Sequence, residues 1–182
     1  MKETYLVISD IHGALSGAEA MEKAYEIHKP DQILCLGDIL YHGPRNDLPE
    51  DYNPKAVIEI MNKYAEKIIA VRGNCEAEVD QMVLDFPCMS DYNEFLLNDR
   101  KVFMSHGHIY SPEKLPKLRE KDIFLSGHTH IPMIELTPAG ILLNPGSISL
   151  PKGGHPRTYA ILNRESFTIY TIENKAYKTL ML

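Results

Sequence analysis

Residues 5–13, with the sequence YLVISDIHG, lead from an apolar, β-rich segment directly into a carboxylate and an imidazole. A continuous apolar run of four residues has the length and composition of a buried strand. Asp10 and His12 follow that run, and Gly13 permits a tight turn behind them. The stretch therefore predicts a buried strand whose carboxyl end carries groups able to bind a metal ion.

The same arrangement recurs through the first half of the chain. The apolar run at 33–36 ends at Gly37-Asp38, and the run at 68–71 ends at Arg72-Gly73-Asn74. A helical pattern from about Gly17 to His28 separates the first two runs. A second helix is predicted to begin at Asn53-Pro54, where the asparagine can cap it and the proline suits its first position. Alternating strands and helices predict a parallel sheet built from βαβ units.

The second half of the chain has shorter elements. Strands are predicted at 102–104, 123–125 and 141–143, and the alternating segments 158–162 and 167–172 are typical of antiparallel strands. One helix is predicted here, capped by Ser111-Pro112. Together the patterns predict an α/β fold of two mixed β-sheets packed face to face with helices outside. No linker or repeat divides the chain, so we expect a single domain over residues 1–182.

Five predicted strands end in side chains that can bind metal. These are Asp10 and His12, Asp38, Asn74, His106, and finally His128 and His130. Strand ends converge at the carboxyl edge of a sheet, so these groups are expected to meet there. Any one of them alone would more often be a turn former or a buried polar residue, but the complete set is difficult to explain in that way. Carboxylate, imidazole and amide ligands favour Mn, Fe or Zn over Ca or Mg.

Spacing within two of these groups suggests a local geometry. One residue separates Asp10 from His12, and one separates His128 from His130. In extended backbone both members of each pair would point to the same side of the strand. Ile11 is then expected to point away from the ligands.

At these residues the sequence resembles the calcineurin-like metallophosphoesterase family. The family motifs stand here as Asp10-Ile11-His12, Gly37-Asp38, Gly73-Asn74-Cys75-Glu76, His106-Gly107-His108 and Gly127-His128-Thr129-His130, and residues 144–147 (NPGS) resemble its small bacterial members. Within the family the chain resembles the YfcE-type phosphodiesterases, which share its length and its Gly-Asn-Cys variant. The resemblance implies a four-layer αββα sandwich.

The resemblance also implies a centre of two divalent metal ions, with Mn²⁺ the first expectation and Fe, Zn or Ni as alternatives. Asp10, His12 and His130 would hold one ion, and Asn74, His106 and His128 the other. Asp38 would bridge the two. A hydroxide held between the ions would attack phosphorus. Asp38, Asn74 and His106 are accordingly candidate catalytic residues as well as ligands.

One position departs from the family pattern. The residue after Asn74 is usually a histidine thought to protonate the leaving group, and here it is Cys75. A thiol is a poorer proton donor than imidazolium near neutral pH. Cys75 is therefore either a candidate catalytic acid or a small packing residue at the edge of the site.

Two further residues lie where family members place groups that contact the substrate. His42 and Arg45 belong to the loop that follows Asp38, and we predict that they bind substrate. The alternative is that the loop is simply solvated. His108 could lie behind the ligands or orient a water molecule.

Composition limits the classes of partner. The net charge is −6, from 19 basic and 25 acidic residues with no Lys/Arg block, which disfavours binding to long nucleic acids. No apolar run approaches the ~20 residues that span a bilayer, and the first residues do not have the pattern of a secretory signal. Three cysteines without a CxxC pair indicate a reducing compartment. We expect a cytoplasmic protein that acts on a small phosphoester and is not bound to a membrane; a homo-oligomer is compatible with the sequence.

The predicted function is hydrolysis of small phosphodiesters. The resemblance to the YfcE-type phosphodiesterases implies it, and the missing histidine matters least when the leaving group is already a stable anion. Two alternatives stay open: a phosphomonoesterase of the same fold, and a non-catalytic scaffold like the retromer subunit that has this fold. A cysteine phosphatase is excluded, since the residues six positions after the three cysteines are Tyr41, Gln81 and Glu94 rather than arginine. No P-loop sequence is present.

Overall fold

The computed structural model describes residues 3–182, so the first two residues of the predicted domain lie outside the described part. Its elements in chain order are β1 (Thr4–Ile8), α1 (Leu15–His28), β2 (Gln32–Cys35), α2 (Pro54–Lys63), β3 (Ile68–Ala70), α3 (Glu78–Gln81), β4 (Tyr92–Leu97), β5 (Arg100–Ser105), β6 (Ile123–Leu125), β7 (Met133–Thr137), β8 (Gly140–Asn144), β9 (Thr158–Asn163), β10 (Ser166–Thr171) and β11 (Ala176–Met181). A short 3₁₀ turn, Ala65–Lys67, precedes β3. The strands form one six-stranded and one five-stranded sheet.

The first sheet has the strand order β11-β10-β9-β1-β2-β3. β1, β2 and β3 are parallel, as predicted, whereas β9, β10 and β11 run antiparallel. Alternate residues of β1 enter two different cores: Leu6 packs with the helices, and Val7 packs with the second sheet. Since neither face of β1 meets water, its sequence is a continuous apolar run rather than an alternating one.

The two predicted helices cover the outer face of this sheet. α2 is capped as predicted, because the Asn53 side chain accepts a hydrogen bond from the backbone N–H of Ala56 at 3.2 Å. α1 begins two residues earlier than expected, at Leu15. Gly17 lies within α1 where a Cβ atom would overlap the Ser149 hydroxyl, so a larger residue there would require that hydroxyl to move.

The second sheet has the order β4-β5-β6-β8-β7, with β5, β6 and β8 parallel and antiparallel strands at both edges. The two mixed sheets and the outer helices confirm the predicted fold class. The strands predicted from apolar runs are all present. The edge strands β4, β7 and β11 and the short helix α3 were not predicted.

The helix expected after Ser111-Pro112 was a wrong prediction. The backbone there makes a tight turn between Ser111 and Lys114, and irregular chain covers the outer face of the second sheet. Pro116 explains the difference, because a proline four residues after Pro112 lacks the N–H of a helical hydrogen bond and crowds the preceding turn. Within residues 3–182, every helix is too short or too polar to cross a membrane.

Candidate metal centre

The seven predicted ligands meet at the edge where the two sheets abut. Asp10 and His12 follow β1, Asp38 follows β2, Asn74 follows β3, His106 follows β5, and His128 and His130 follow β6. Three strands of the first sheet and two of the second therefore supply the side chains. The nitrogen and oxygen atoms that could bind metal lie close to their neighbours in this set, so that several of them could coordinate the same ion.

The local geometry differs from the extended backbone that the sequence spacing suggested. Asp10, His12, Asp38, His128 and His130 all have positive φ, between 53° and 65°. A left-handed conformation costs a non-glycine residue about 1–2 kcal/mol, so these loops must be held by other contacts. The pairs do converge, but through left-handed turns rather than along an extended strand.

Backbone hydrogen bonds between neighbouring loops supply that support. The N–H groups of Asp10, His12 and Gly13 donate to the carbonyls of Gly37, Asp38 and Ile39 at 3.1, 2.9 and 2.8 Å. The parallel register of β1 and β2 thus continues past the strand ends and fixes the first ligand loop against the second.

In the first half of the site, three acceptor atoms face one another. Asp10 Oδ1 lies 3.6 Å from His12 Nε2 and 3.4 Å from His130 Nε2, and the two Nε2 atoms are 3.3 Å apart. The Nδ1 atoms must carry the protons, because they donate to the carbonyls of Tyr41 and Leu150. Both Nε2 atoms then present lone pairs. A cation between them and Asp10 Oδ1 would satisfy all three atoms.

Asp10 itself gives independent support for a cation. Its Oδ2 accepts hydrogen bonds from the Ser9 hydroxyl at 2.7 Å and the His128 backbone N–H at 3.1 Å. Its Oδ1 is buried and has no hydrogen-bond donor among residues 3–182. A buried carboxylate oxygen without a donor is costly unless a positive charge lies beside it.

The second half of the site centres on His106. Its Nδ1 donates to the Leu36 carbonyl at 2.6 Å, which turns Nε2 toward the site. That Nε2 lies 3.4 Å from Asp38 Oδ2, 3.2 Å from Asn74 Oδ1 and 3.2 Å from His128 Nδ1. Asp38 Oδ2 is also 3.6 Å from His12 Nε2, so it lies between the two halves.

The electrostatics of the protein alone already favour positive charge here. Burial opposes ionisation of Asp10, but the His12 imidazole 3.6 Å away and the neighbouring imidazoles of His106 and His130 hold the pKa of Asp10 well below its usual range. Burial also disfavours imidazolium, yet the contacts with Asp38 and Asp10 raise the pKa of His106 to about 9. Burial lowers the pKa of His130. When no metal is bound, a proton on His106 would supply part of the positive charge that the metal otherwise provides.

Glu76 is a residue whose role the sequence reasoning missed. It is buried, and its carboxylate accepts backbone N–H bonds from Asp38 at 2.9 Å, Ile39 at 2.7 Å and Gly73. The loops after β2 and β3 are therefore fixed to one side chain. Its place in the motif 73–76 was visible, but nothing in the sequence identified its partners.

Residues 144–147 join the two sheets at the site. The Ser147 hydroxyl donates to the Asp10 carbonyl at 2.7 Å, and the Asn144 amide donates to the Gly127 carbonyl at 2.8 Å. This segment thus supports the ligand loops after β1 and β6, a role that was also not predicted.

Cys75 lies at the edge of the centre. Its Sγ is within 4.8 Å of donor atoms of His12 and Asp38, and the Asn74 amide donates to it at 3.2 Å. Burial and the nearby Asp38 carboxylate raise the pKa of the thiol far above its usual value. The thiol is therefore protonated near neutral pH and is a weak acid.

Two cavities adjoin the ligands. A small one of about 30 Å³ is bordered by Asp38, Asn74, His128 and His130, with Arg45 and Lys152 at its rim. A larger one of about 930 Å³ begins at Asn74 and His128 and also includes Arg45.

Of the two residues predicted to contact the substrate, only one lines these cavities. Arg45 lines both cavities, whereas His42 lines neither, because its ring packs against Tyr41 and Tyr52 with centroids 4.8 and 5.5 Å away. Substrate binding by His42 therefore stays a prediction without a supporting contact. His108 lines the larger cavity, with its ring centroid 5.4 Å from that of His106.

Comparisons with known proteins identify the family of the chain. Residues 4–166 match the calcineurin-like phosphoesterase superfamily domain. The phosphodiesterase YfcE of Escherichia coli (strain K12) is 42% identical over 168 residues, which cover 92% of this chain and 91% of that protein. The solved structure of this phosphoesterase from E. coli superposes with a TM-score of 0.94 at 40% identity, covering 97% of this chain and 98% of that one.

A more distant likeness concerns the fold alone. Vacuolar Protein Sorting 29 from Cryptosporidium parvum superposes with a TM-score of 0.66 at 17% identity, over 100% of this chain and 97% of that one. The resemblance inferred from the sequence motifs is confirmed by the matches at higher identity. The chain belongs to the calcineurin-like phosphoesterase superfamily.

Proposed function

We propose that this protein is a metal-dependent hydrolase of small phosphodiesters that binds two divalent ions. The observation that carries the proposal is the buried Asp10 Oδ1, which has no hydrogen-bond donor in the described part of the chain and faces the lone pairs of His12 and His130. Three converging acceptors fit a cation and little else. The 42% identity to an enzyme named phosphodiesterase YfcE supports hydrolysis of a diester.

The donor set fits the two-ion arrangement. Asp10, His12 and His130 would hold one ion, Asn74, His106 and His128 would hold the other, and Asp38 would contact both. Oxygen and imidazole ligands without thiolate suit Mn²⁺, and also Fe, Zn or Ni. When bound, such a pair of ions supplies Lewis acidity toward the phosphoryl oxygens and activates water.

The protein's own groups prepare the site for that chemistry. The carbonyls of Tyr41, Leu36 and Leu150 accept the Nδ1 protons of three histidines and so keep each Nε2 free. Arg45 lies at the rim of the small cavity, where its guanidinium can bind a non-bridging phosphoryl oxygen.

The side chain after Asn74 bears on the choice of ester. The thiol of Cys75 has a strongly raised pKa, so it gives little assistance to a leaving group that needs a proton. Esters whose alcohol departs as a stable anion are therefore favoured. A phosphomonoesterase would be indicated instead if monoesters were turned over faster across a matched panel.

The test is hydrolysis of a chromogenic phosphodiester with and without Mn²⁺. We expect Mn²⁺-dependent turnover in the wild type, and a loss of at least about a hundredfold in Asp38→Ala, which removes the carboxylate between the two halves of the site. Asp47→Ala is the matched control, because Asp47 is an exposed aspartate of the loop that follows Asp38. No turnover by metal-loaded wild type, with Asp38→Ala indistinguishable from it, would support the scaffold alternative.

We also propose that the protein works in the cytoplasm as a single domain over residues 1–182. The cysteines Cys35, Cys75 and Cys88 are all free, which agrees with a reducing compartment.

A further inference from the structure

A cleft of about 930 Å³ adjoins the metal centre, and apart from Asn74 and His128 its lining residues are not predicted metal ligands. It is lined by the segment after β5, the start of β7 and the edge strand β11, together with Arg45, Asn74 and His128. Its volume lies in the range of about 300–1,000 Å³ that is typical of small-molecule sites.

The cleft is continuous with the metal centre. Asn74, His128 and Arg45 border both the cleft and the small cavity over the ligands. The small cavity measures about 30 Å³, far less than the cleft. The organic part of an ester therefore has room in the cleft rather than in the small cavity. A phosphoryl group placed at Asn74 and His128 would therefore have its organic substituent at the entrance of the cleft.

The walls of the cleft indicate the chemistry of its ligand. Apolar surface comes from Pro112 and from residues 131–134, and Ile131 is 40% exposed. When a ligand covers exposed apolar surface inside a concave site, the removal of that surface from water favours binding.

The charged groups of the cleft nearly balance. Glu113 and Glu135 oppose Arg45 and Lys178. The Lys178 ammonium already donates to the Pro132 carbonyl at 3.1 Å, and the Glu113 carboxylate accepts from the Ser111 hydroxyl at 2.8 Å. With no excess of either sign, the cleft offers no preference for a charged ligand group.

We propose that this cleft binds an uncharged, ring-sized organic group of the phosphodiester, and so selects aryl or nucleoside esters over small alkyl esters. The inference rests on the proposed function only in placing the phosphoryl group at the metal centre. The apolar wall would cover the face of the ring. For a nucleoside, Glu113 and Glu135 could also accept hydrogen bonds from sugar hydroxyls.

Phosphonates test this directly, because each carries a single organic group and is not hydrolysed. Dissociation constants of methylphosphonate, phenylphosphonate and a thymidine 5′-phosphonate would be measured by calorimetry on the Mn²⁺-loaded protein. We expect phenylphosphonate to bind about tenfold more tightly than methylphosphonate, from the apolar area that it covers. The nucleoside phosphonate distinguishes the two sources of a ring: tighter binding than phenyl indicates a nucleoside ester, and weaker binding a simple aryl ester.

Two variants assign the effect to the cleft. Ile131→Asp places a charge on its apolar wall and should abolish the advantage of phenylphosphonate while leaving methylphosphonate binding unchanged. Leu136→Asp is the control, because Leu136 is an equally apolar, 65% exposed residue of β7 that does not line the cleft. Glu135→Trp, which fills the cleft from β7, provides the same comparison if Ile131→Asp also weakens methylphosphonate binding.

Equal affinity for the methyl and phenyl compounds would overturn the inference, as would a phenyl advantage that survives both Ile131→Asp and Glu135→Trp. These results are distinct from a failure of the proposed function, which would be an absence of Mn²⁺-dependent hydrolysis whatever the phosphonate affinities.

Discussion

The buried carboxylate of Glu76 offers a sharp test of how the metal loops are held. Glu76→Gln preserves the size and shape of the side chain but removes its charge and one of its two acceptor oxygens. In the wild type one oxygen accepts from the N–H groups of Asp38 and Gly73, and the other accepts from Ile39. In the variant an NH₂ group must face at least one of these backbone donors.

The magnitude follows from counting these contacts. One charge-assisted hydrogen bond is lost and two become neutral, which together cost about 2–4 kcal/mol in a buried site. An opposing effect comes from burial and the charge of Asp38, which raise the pKa of Glu76 to about 6. Keeping Glu76 ionised at neutral pH therefore costs the metal-free protein about 2 kcal/mol, which the amide does not incur.

The two effects separate when metal is added. In metal-free protein they partly cancel, and we expect Glu76→Gln to lower the free energy of unfolding by about 0–2 kcal/mol. A divalent ion beside Asp38 would offset that charge and remove its part of the relief, whereas the effect of burial stays. We therefore expect a larger deficit with Mn²⁺ than without it, approaching about 2–4 kcal/mol.

The assay is urea unfolding at pH 7 with and without excess Mn²⁺, followed by circular dichroism. Glu78→Gln is the control, because it removes the same charge two residues away from an exposed position. The reasoning is refuted if Glu76→Gln is as stable as Glu78→Gln in Mn²⁺, or if its deficit is the same with and without the metal.

Two further predictions concern the buried carboxylate of Asp122 and the thiol of Cys75. The hydrogen bond from Arg119 holds the pKa of the buried Asp122 carboxyl well below its usual range, so the stability it gives is present above about pH 4 and is lost as the pH falls toward the folded-state value. Because Arg119 is largely exposed, we expect Asp122→Asn to cost only about 1–2 kcal/mol at pH 7, with a deficit that shrinks below pH 4 in urea titrations; a constant deficit would contradict this. Cys75→His should leave the metal content unchanged, as measured by elemental analysis, while altering the rate or its dependence on the leaving group; loss of metal would show that Cys75 is structural instead.

Much of the fold could be predicted because the strands that carry the ligands are buried on both faces. Leu6 and Val7 of β1 enter different cores, so the strand is recognisable as an uninterrupted apolar run ending at Asp10. The edge strands have no such signal. β4 alternates between exposed and half-buried residues, and β11 is exposed along nearly all its length, so neither sequence stands out from a loop.

The geometry of the site was less predictable, because contacts between distant loops decide it. The left-handed turns at Asp10 and His12 depend on the carbonyls of residues 37–39, which no local pattern identifies. Gly37 shows the same dependence: a Cβ atom there would overlap the backbone nitrogen of Gly73, an approach set by the register of β2 against β3. The pairs separated by one residue do converge in the structure, although left-handed turns rather than extended backbone bring them together.

The position of the centre between the sheets gives the metal a structural as well as a chemical role. The Nδ1 of His106, after β5, is bonded to the Leu36 carbonyl beside β2, and the His128 N–H, after β6, is bonded to Asp10, after β1. These contacts bring lone pairs from both sheets together at distances where they repel unless a cation lies among them. The same loops that place the ligands therefore store an electrostatic cost in the metal-free protein, and metal binding would relieve it by joining the two sheets. A site built in this way would couple metal affinity to the packing of the sandwich, because Glu76 and Ser147 hold the ligand loops although neither belongs to the predicted ligand set.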